Sequence, residues 1–216
     1  MLSGMPPAPA LSRRERERDL VRATRALFDE RGMQEAPIEE IAKTVGIARG
    51  LIYREFSSKE ELYVFTVTDY LAELDGVLSA ALAEPRGPEA QLEAWTRAYA
   101  GFCLDYPAFL DCALSLMKRP AAELKELLSD SVWLRLGQGI AGCVEHVASI
   151  LRALGVTEPD YVANVLWTQI LGTTHLARIG VGIRQAAPGI PALFGVEREQ
   201  LLTTCVQTTR AFVAER

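Results

Sequence analysis

The 216-residue chain lacks the residues and motifs on which most enzymes depend. It has two histidines, His146 and His175, and no HExxH, GxSxG, GxGxxG or P-loop motif. A catalytic centre needs a nucleophile, an acid–base pair or a metal, each held by partner groups. No metal-ligand spacing of histidine and cysteine occurs either. The sequence therefore predicts a protein that is not an enzyme and that holds no metal and no cofactor.

Cysteine is scarce, and no two cysteines form a CxxC pair. Each of the four lies in an apolar run: Cys103, Cys112, Cys143 and Cys205. This pattern predicts buried free thiols in a reducing compartment. A redox sensor is the alternative, but no cation stands beside a thiol to activate it.

Long hydrophobic runs are also missing. The most apolar part, residues 161–183, is interrupted by Asn164, Gln169, His175 and Arg178, so no run reaches the length of a membrane span. The first ten residues contain three prolines and lack the basic start and apolar centre of a signal peptide. We therefore expect a cytoplasmic protein without membrane contact, and a disordered tail over residues 1–11.

Helical periodicity dominates the rest of the chain. Aromatic residues make up 7% of it, and the apolar content is mostly Leu, Ala, Val and Ile, which suits helices better than strands. The spacing of apolar residues, prolines and glycines predicts these helices: about 13–31, Pro37 to Gly46, 48–54, 58–84, the EPRGPE loop to 105, Pro107 to Pro120, 121–154 with a possible break near Gly137 and Gly139, 159–183, and 197–214. No strand is predicted, so the fold class is all-α, with AAPGIP as the last loop.

The stretch GIARGLIYREFSSKEEL, residues 46–62, lies where two short helices meet. A turn containing Gly46 joins them, which is the pattern of a helix-turn-helix. Ile47 and Ile52 have the spacing to fill the core between the helices. The other faces then carry Arg49 and Tyr53, together with Gly50 and Arg54.

These outward residues have the chemistry to bind a polyanion. Arg49 and Arg54 can contact phosphates or guanine edges, and the hydroxyl of Tyr53 can contact a phosphate. Lys59 follows the predicted Ser58–Glu61 capping box, where a cation opposes the helix dipole unless an anion docks there. These features also have ordinary alternatives. The alternative for Arg49 and Arg54 is solvated charge beside Glu55, and the alternative for Tyr53 is a half-buried tyrosine of the core.

Gly50 also has two interpretations. Glycine inside a helix costs about 0.5–1 kcal/mol relative to alanine. Either the backbone approaches another surface closely at Gly50, or the residue packs tightly against the second helix.

The order of these residues is more specific than any one of them. The stretch RALFDERGMQEAPIEEIAKTVGIARGLIYREFSSKEEL resembles the DNA-binding domain of the TetR family of bacterial transcriptional regulators over about 50 residues. The resemblance implies an all-helical homodimer whose third helix enters the major groove of a palindromic operator. A fourth helix would link this unit to a body that binds a small molecule and releases the DNA. By position, Arg49, Gly50, Leu51, Tyr53 and Arg54 belong to the reading helix, and Tyr53 and Lys59 match positions that hold phosphate.

The sequence departs from the family pattern at three places. Ala36-Pro37 replace the Thr or Ser that usually caps the second helix and contacts phosphate. Ala48-Arg49 replace a common Ser-Lys pair, and Leu51 replaces a Thr that could hydrogen-bond a base. These changes imply an operator unlike a typical one.

The resemblance divides the chain into the tail of residues 1–11, a helix-turn-helix domain over 12–57, and a helical ligand-binding and dimerisation domain over 58–216. Residues 1–65 carry 11 Lys and Arg and 11 Asp and Glu, so the net charge of −5 belongs to the body. In this family the last two helices usually form the dimer interface. The candidate interface residues are Trp167, Gly172, Leu176, Leu201, Cys205 and Phe212. A core helix in a monomer is the alternative for 159–183.

A ligand pocket is expected among the helices of residues 88–171. The candidate lining residues are Trp95, Tyr99, Phe102, Met117, Trp133, His146 and Trp167. Aromatic and Met side chains line apolar pockets, but they also fill ordinary cores. The scarcity of charge predicts a small apolar or amphipathic effector.

The sequence therefore predicts a regulator that binds a double-stranded DNA operator as a homodimer, and specifically a ligand-released repressor. One alternative is an activator, or a helical small-molecule-binding protein whose DNA release is not controlled by the ligand. Another is a helical interaction protein that has lost DNA binding, which the presence of Tyr53 and Lys59 argues against.

Overall fold

The computed structural model describes residues 13–31, 38–178 and 180–216. In this part of the chain ten helices and one hairpin follow in the order α1 (Arg13–Arg31), α2 (Ile38–Val45), α3 (Arg49–Glu55), α4 (Lys59–Leu82), α5 (Pro88–Asp105), α6 (Pro107–Met117), α7 (Ala121–Glu126), α8 (Asp130–Ala153), α9 (Pro159–Arg178), β1 (Val181–Ala187), β2 (Ile190–Gly195) and α10 (Arg198–Ala214). The all-α prediction is confirmed apart from the hairpin. The predicted tail and the Ala36-Pro37 departure lie outside the described residues.

Helices α1, α2 and α3 pack together on the first turns of α4. The apolar faces of α1 and α2 meet through Phe28 and Ile41, and α3 contributes Ile52. Two edge-to-face ring pairs connect this unit to α4, namely Phe28 with Tyr63 at 5.1 Å and Phe56 with Phe65 at 5.5 Å. The unit therefore has a small core of its own that continues into the body.

The body surrounds α4 and α5 with α6, α8, α9 and α10. Its centre is a row of buried aromatic rings, in which Tyr99 stacks on Trp167 at 4.1 Å and lies beside Trp95 at 5.5 Å. Helices α4 and α8 approach each other closely at Gly139, where an added Cβ would lie 3.3 Å from Leu71. Gly139 therefore allows close packing of α8, which is continuous there; the predicted break near Gly137 and Gly139 is wrong.

Two further predictions of helix boundaries are wrong. The helix expected over 121–154 is two helices, because α7 ends at Glu126 and α8 starts again after Ser129. The helix expected over 159–183 ends at Arg178, and Gly180 then adopts a left-handed φ of 72°. The residues that follow form an antiparallel hairpin in which Gly182 lies opposite Phe194 and Ile183 opposite Leu193. Its turn contains Gly189 at φ 77° and falls within the predicted AAPGIP loop.

All four cysteines are buried free thiols, as predicted. Burial raises the pKa of Cys103, Cys112 and Cys143 to about 12. Because the thiolate is the reactive form, these side chains are poor nucleophiles at neutral pH.

Among the described residues, no single helix is long and apolar enough to span a membrane. The pair α5 and α6 passes the same test of length and composition when taken together, but the two helices are bent by 95°. Their apolar side chains, including Trp95, Phe102 and Phe109, lie in the core.

Arg25 joins the N-terminal unit to the body. Its guanidinium donates to Asp69 at 2.8 Å and to Glu73, both on α4, and lies 4.1 Å from the ring of Tyr70. Burial alone would raise the pKa of Glu73, but hydrogen bonds from Tyr106 and Arg25 hold it below its usual value. The side chain of Arg25 is only 16% exposed, so removing it would leave a cluster of carboxylates without their cation.

We expect Arg25→Ala to reduce the free energy of unfolding by about 1–2 kcal/mol, because the half-exposed carboxylates of Asp69 and Glu73 lose their charged donor and water compensates part of the loss. Urea denaturation at neutral pH measures this loss. Arg22→Ala is the matched control, since Arg22 lies on the same helix and is exposed; a change within about 0.5 kcal/mol is expected there. Equal stability of the two variants would contradict the role given to Arg25.

Candidate nucleic-acid interface and ligand cavity

The turn between α2 and α3 sets the angle at which α3 is presented. Gly46 has a left-handed φ of 73°, which favours glycine. The N–H of Ile47 donates to the carbonyl of Ala42 at 2.9 Å and closes the end of α2. Helices of eight and seven residues are too short to be stable alone. The turn and the core beneath it therefore fix the position of α3.

The face of α3 away from this core carries the predicted reading residues. Arg49, Gly50, Tyr53 and Arg54 are exposed and Leu51 is half-buried. Tyr53 is 44% exposed, so the alternative of a core tyrosine does not hold. The sequence prediction of which residues face outward agrees with their burial.

Gly50 has open space where a side chain would stand. A Cβ built there would have no heavy atom within 4 Å among its described surroundings. Close packing against α2, the ordinary explanation for this glycine, is therefore not what the structure shows. The remaining explanation is the approach of a surface from outside the protomer.

Arg49 is held by its own protomer. Its guanidinium lies 2.5 Å from Glu39 on α2 and 5.6 Å from the centre of the Tyr53 ring. Hydrogen bonding with Tyr53 and the charge of Glu39 raise the pKa of Arg49. A phosphate at this position would have to compete with Glu39 for the guanidinium.

Arg54 is in a different situation. The neighbouring Glu55 is bound to Arg16 on α1 at 3.0 Å, which holds the end of α3 on α1. Among the described residues Arg54 has no ion-pair partner within 4.0 Å. Its charge is therefore available to an external anion.

The start of α4 lies beside α3 and adds a second cationic point. The hydroxyl of Ser58 accepts from the N–H of Glu61 at 3.0 Å, as the capping box predicts. The carboxylate of Glu61 accepts from the N–H and hydroxyl of Ser57, at 2.5 and 2.6 Å, rather than from Ser58. The exposed Lys59 then lies in the first turn, with its ammonium 4.9 Å from the ring of Tyr63. A helix N-terminus with a lysine beside it favours an anion.

A separate apolar cavity of about 230 Å³ lies in the body, between α4 and the helices α6 to α9. Its lining residues are Val67, Leu71, Phe109, Ala113, Leu116, Met117, Arg119, Ala121, Leu124, Trp133, Leu136, Ile140, Trp167 and Leu171. Arg119 is the one charged residue among the described residues of this lining. The site therefore has the chemistry for an apolar molecule with an anionic group at one end.

The predicted pocket residues divide into three groups. Met117, Trp133 and Trp167 line this cavity. Trp95, Tyr99 and Phe102 instead lie in the core. His146 lies 2.8 Å from Asp75 and faces a different groove, between α4, α5 and α8. Sequence reasoning missed Arg119, which only the chain reversal after α6 brings to the cavity.

No cluster of three or more His, Cys, Asp or Glu side chains that could hold a metal occurs in the described part of the chain.

Residues 20–64 match the family model for bacterial regulatory proteins of the tetR family. The transcriptional activator FasR of Mycolicibacterium smegmatis is 32% identical over 92 residues, which are 43% of this chain and 42% of FasR. The regulator BetI of Escherichia coli is 36% identical over 77 residues, which are 35% of this chain and 40% of BetI. The chain thus matches about two fifths of the length of these curated relatives.

Solved structures extend the likeness to the whole fold. BioQ, solved with a double-stranded DNA operator, superposes with a TM-score of 0.63 over 93% of this chain and 98% of BioQ, at 16% identity. FadR of Bacillus subtilis, solved in complex with stearoyl-CoA, gives a TM-score of 0.63 over 89% of this chain and 96% of FadR, at 12% identity. At these identities the likeness concerns the fold alone.

Proposed function

We propose that the chain is a transcriptional regulator of the tetR family that binds a palindromic DNA operator as a homodimer, because residues 20–64 match the model of that family. The observation that carries the proposal is Gly50, which leaves an open space on the exposed face of α3 between Arg49 and Tyr53. A helix face that carries arginines, a tyrosine hydroxyl and a glycine can approach the groove of DNA closely and contact its phosphates. No catalytic role is proposed.

DNA would contact the protomer at two points. Arg49, Tyr53 and Arg54 on α3 reach base edges and adjacent phosphates, while Lys59 at the start of α4 holds a phosphate. Leu51, half-buried beside them, can contact a thymine methyl group but cannot hydrogen-bond a base.

The exposed faces of α9 and α10 support dimerisation. Residues 161–177 of α9 and 200–209 of α10 contain no Asp, Glu, Lys or Arg, in a chain that is 24% charged. The exposed side chains of these segments include Tyr161, Asn164, Thr168 and Gly172 on α9. Gln200, Thr204, Gln207 and Thr208 are exposed on α10. Depletion of charge is typical of the centre of a protein interface.

The interface residues named from sequence lie at different depths. Trp167, Leu201 and Cys205 are buried in the protomer and support the two helices from inside. Gly172 is exposed and Phe212 is half-buried, while the side chain of Leu176 lies outside the described residues. We therefore place the direct contacts on the uncharged face of α9 and α10.

We further propose that the effector is an amphipathic molecule with an apolar chain and an anionic group. The apolar cavity would hold the chain and Arg119 the anion. The complex of FadR with stearoyl-CoA shows that a protein of this fold binds such a molecule. Release of DNA by the effector would make this protein a repressor.

Helix α4 offers the route from cavity to DNA. Val67 and Leu71 line the cavity, while Lys59 begins the same helix about 12 Å from Val67 at 1.5 Å per residue. Glu61 also accepts from Ser129, at 3.4 Å, just before α8. A ligand that separates α4 from α8 would therefore shift Lys59 and the neighbouring α3.

The operator proposal is tested by selecting the purified protein against random duplexes and then measuring the affinity of Gly50→Ala for the selected site. We expect at least a tenfold loss of affinity, because a methyl group would stand between backbone and DNA. The substitution should keep or raise stability by about 0.5–1 kcal/mol, since alanine favours a helix. Gly76→Ala is the matched control, as this glycine of α4 also has open space. Full affinity in Gly50→Ala, or no selected duplex, would contradict the proposal.

The effector proposal predicts that Arg119→Gln weakens binding of a medium- or long-chain acyl-CoA at least tenfold. Two of the three tryptophans, Trp133 and Trp167, line the cavity, so tryptophan fluorescence reports binding directly. Lys118→Gln is the control, since Lys118 is an exposed cation next in sequence that does not line the cavity. Equal affinities for the two variants would contradict the role of Arg119, whatever the effect on DNA.

The dimer proposal predicts that Gly172→Arg is monomeric at micromolar concentration by analytical ultracentrifugation. A Cβ at Gly172 meets no heavy atom within 4 Å among the described residues, so a side chain can begin there without a clash in the protomer. Gly137→Arg on α8 is the control, as it has the same open surroundings away from the proposed interface. A dimer in both variants would place the interface elsewhere.

A further inference from the structure

The hairpin of β1 and β2 exposes large apolar side chains to an unusual degree. The exposed fraction is 75% for Ile183, 58% for Ile190, 66% for Leu193 and 41% for Phe194. None of the described side chains of the two strands is buried. A contiguous apolar patch of a few hundred Å² on a protein surface marks an interaction site.

The two strands pack mainly on each other rather than on the body. On one face the ring of Phe194 covers Gly182, where a Cβ would lie only 2.2 Å from the ring. On the opposite face Ile183 and Leu193 form a cross-strand pair that the protomer leaves exposed. A hairpin of two strands is at best marginally stable without further packing. The Ile183–Leu193 face therefore lacks the cover that would stabilise it.

The position of the hairpin indicates what covers it. It connects α9 to α10, the two helices that carry the proposed interface, so it adjoins that interface along the chain. A stable protein interface buries about 1,600 Å² in total. Two small hairpins supply less than this area, whereas hairpins and helices together can reach it. Within residues 180–196, Arg184 is the single charged residue. A polyanion thus has little to bind, and the net charge of −5 opposes an anionic lipid surface.

We infer that the hairpin is a dimerisation arm, whose Ile183–Leu193 face packs on a second copy of this chain. The inference rests on the proposed homodimer and adds a second element to its interface. A strand of seven residues reaches about 23 Å, enough to extend beyond the edge of a helix pair. In a twofold-symmetric dimer each arm contacts the partner, so its contribution counts twice.

The first experiment compares the dimer dissociation constants of Leu193→Asp and Leu134→Asp by sedimentation over a dilution series. Leu134 on α8 is 59% exposed, close to the 66% of Leu193, so both variants place the same charge on a similar surface. We expect at least a tenfold weaker dimer for Leu193→Asp and no change for Leu134→Asp. An unchanged dissociation constant in Leu193→Asp would overturn the inference.

The second experiment measures maleimide labelling of Ile183→Cys, on the exposed face of the arm that the inference places against the partner. The four native thiols are buried, so the introduced cysteine should react first. We expect labelling at least fivefold slower in the dimer than in the same variant carrying Gly172→Arg. Equal labelling rates in the dimer and in the monomer would overturn the inference that the hairpin is a dimerisation arm, but would not contradict the proposed interface on α9 and α10. A monomeric wild-type chain would instead overturn the proposed homodimer, and the arm with it.

A competing occupant is tested in the same assay. Vesicles of phosphatidylcholine with phosphatidylglycerol should not protect Ile183→Cys in the Gly172→Arg background. Protection by vesicles that exceeds protection by dimerisation would assign the arm to a membrane surface and overturn the inference.

Discussion

The burial of α4 along its whole length is the constraint on which both halves of the molecule depend. Its buried apolar side chains run from Leu62 in the first turn to Leu78, one turn before its end. The first turns cover the core of the N-terminal unit through Tyr63 and Phe65, and the later turns form the centre of the body. Without this helix α2 and α3 would lose their support, because neither is long enough to persist alone. The presentation of α3 is thus a consequence of packing in α4.

Sharing one helix has a mechanical consequence. Arg25 fixes α1 to α4 halfway along, and Glu61 connects the start of α4 to Ser129 before α8. A displacement of α8 can therefore reach the first turn of α4 through side chains in contact, without a flexible linker between the two units. An allosteric change requires such an element to have two arrangements of similar free energy. The α4–α8 crossing at Gly139 is a candidate, since only a glycine separates the backbone of α8 from Leu71.

Much of the N-terminal unit could be predicted from sequence, because local signals decide it. Gly46 marks the end of α2, Ser58 and Glu61 mark the start of α4, and the outward residues of α3 follow from its period. The cavity was only half predictable. Trp133 and Trp167 reach it while Tyr99 does not, although all three stand in apolar helical patterns; packing partners, not periodicity, separate lining from core. Arg119 gave no signal, because it lies between elements.

The hairpin shows where helical periodicity misleads. The apolar run of α9 continues in sequence through Ile179, Val181 and Ile183, so helical periodicity predicts that the helix extends to residue 183. The contrary signal is in the glycines: Gly180, Gly182, Gly189 and Gly195 fall within sixteen residues, and the pair Pro188-Gly189 is typical of a turn.

The distribution of charge also distinguishes the parts of the molecule. The body is acidic, which opposes non-specific binding of DNA, and the helix-turn-helix domain is neutral with cations at α3 and α4. Residues 161–177 of α9 and 200–209 of α10 carry no Asp, Glu, Lys or Arg. Affinity for DNA would then come from the few contacts that each helix-turn-helix domain offers. In the proposed homodimer, two such domains held at a fixed spacing would bind tightly only to a matching pair of half-sites, so the proposed interface on α9 and α10 would determine specificity as much as α3 does.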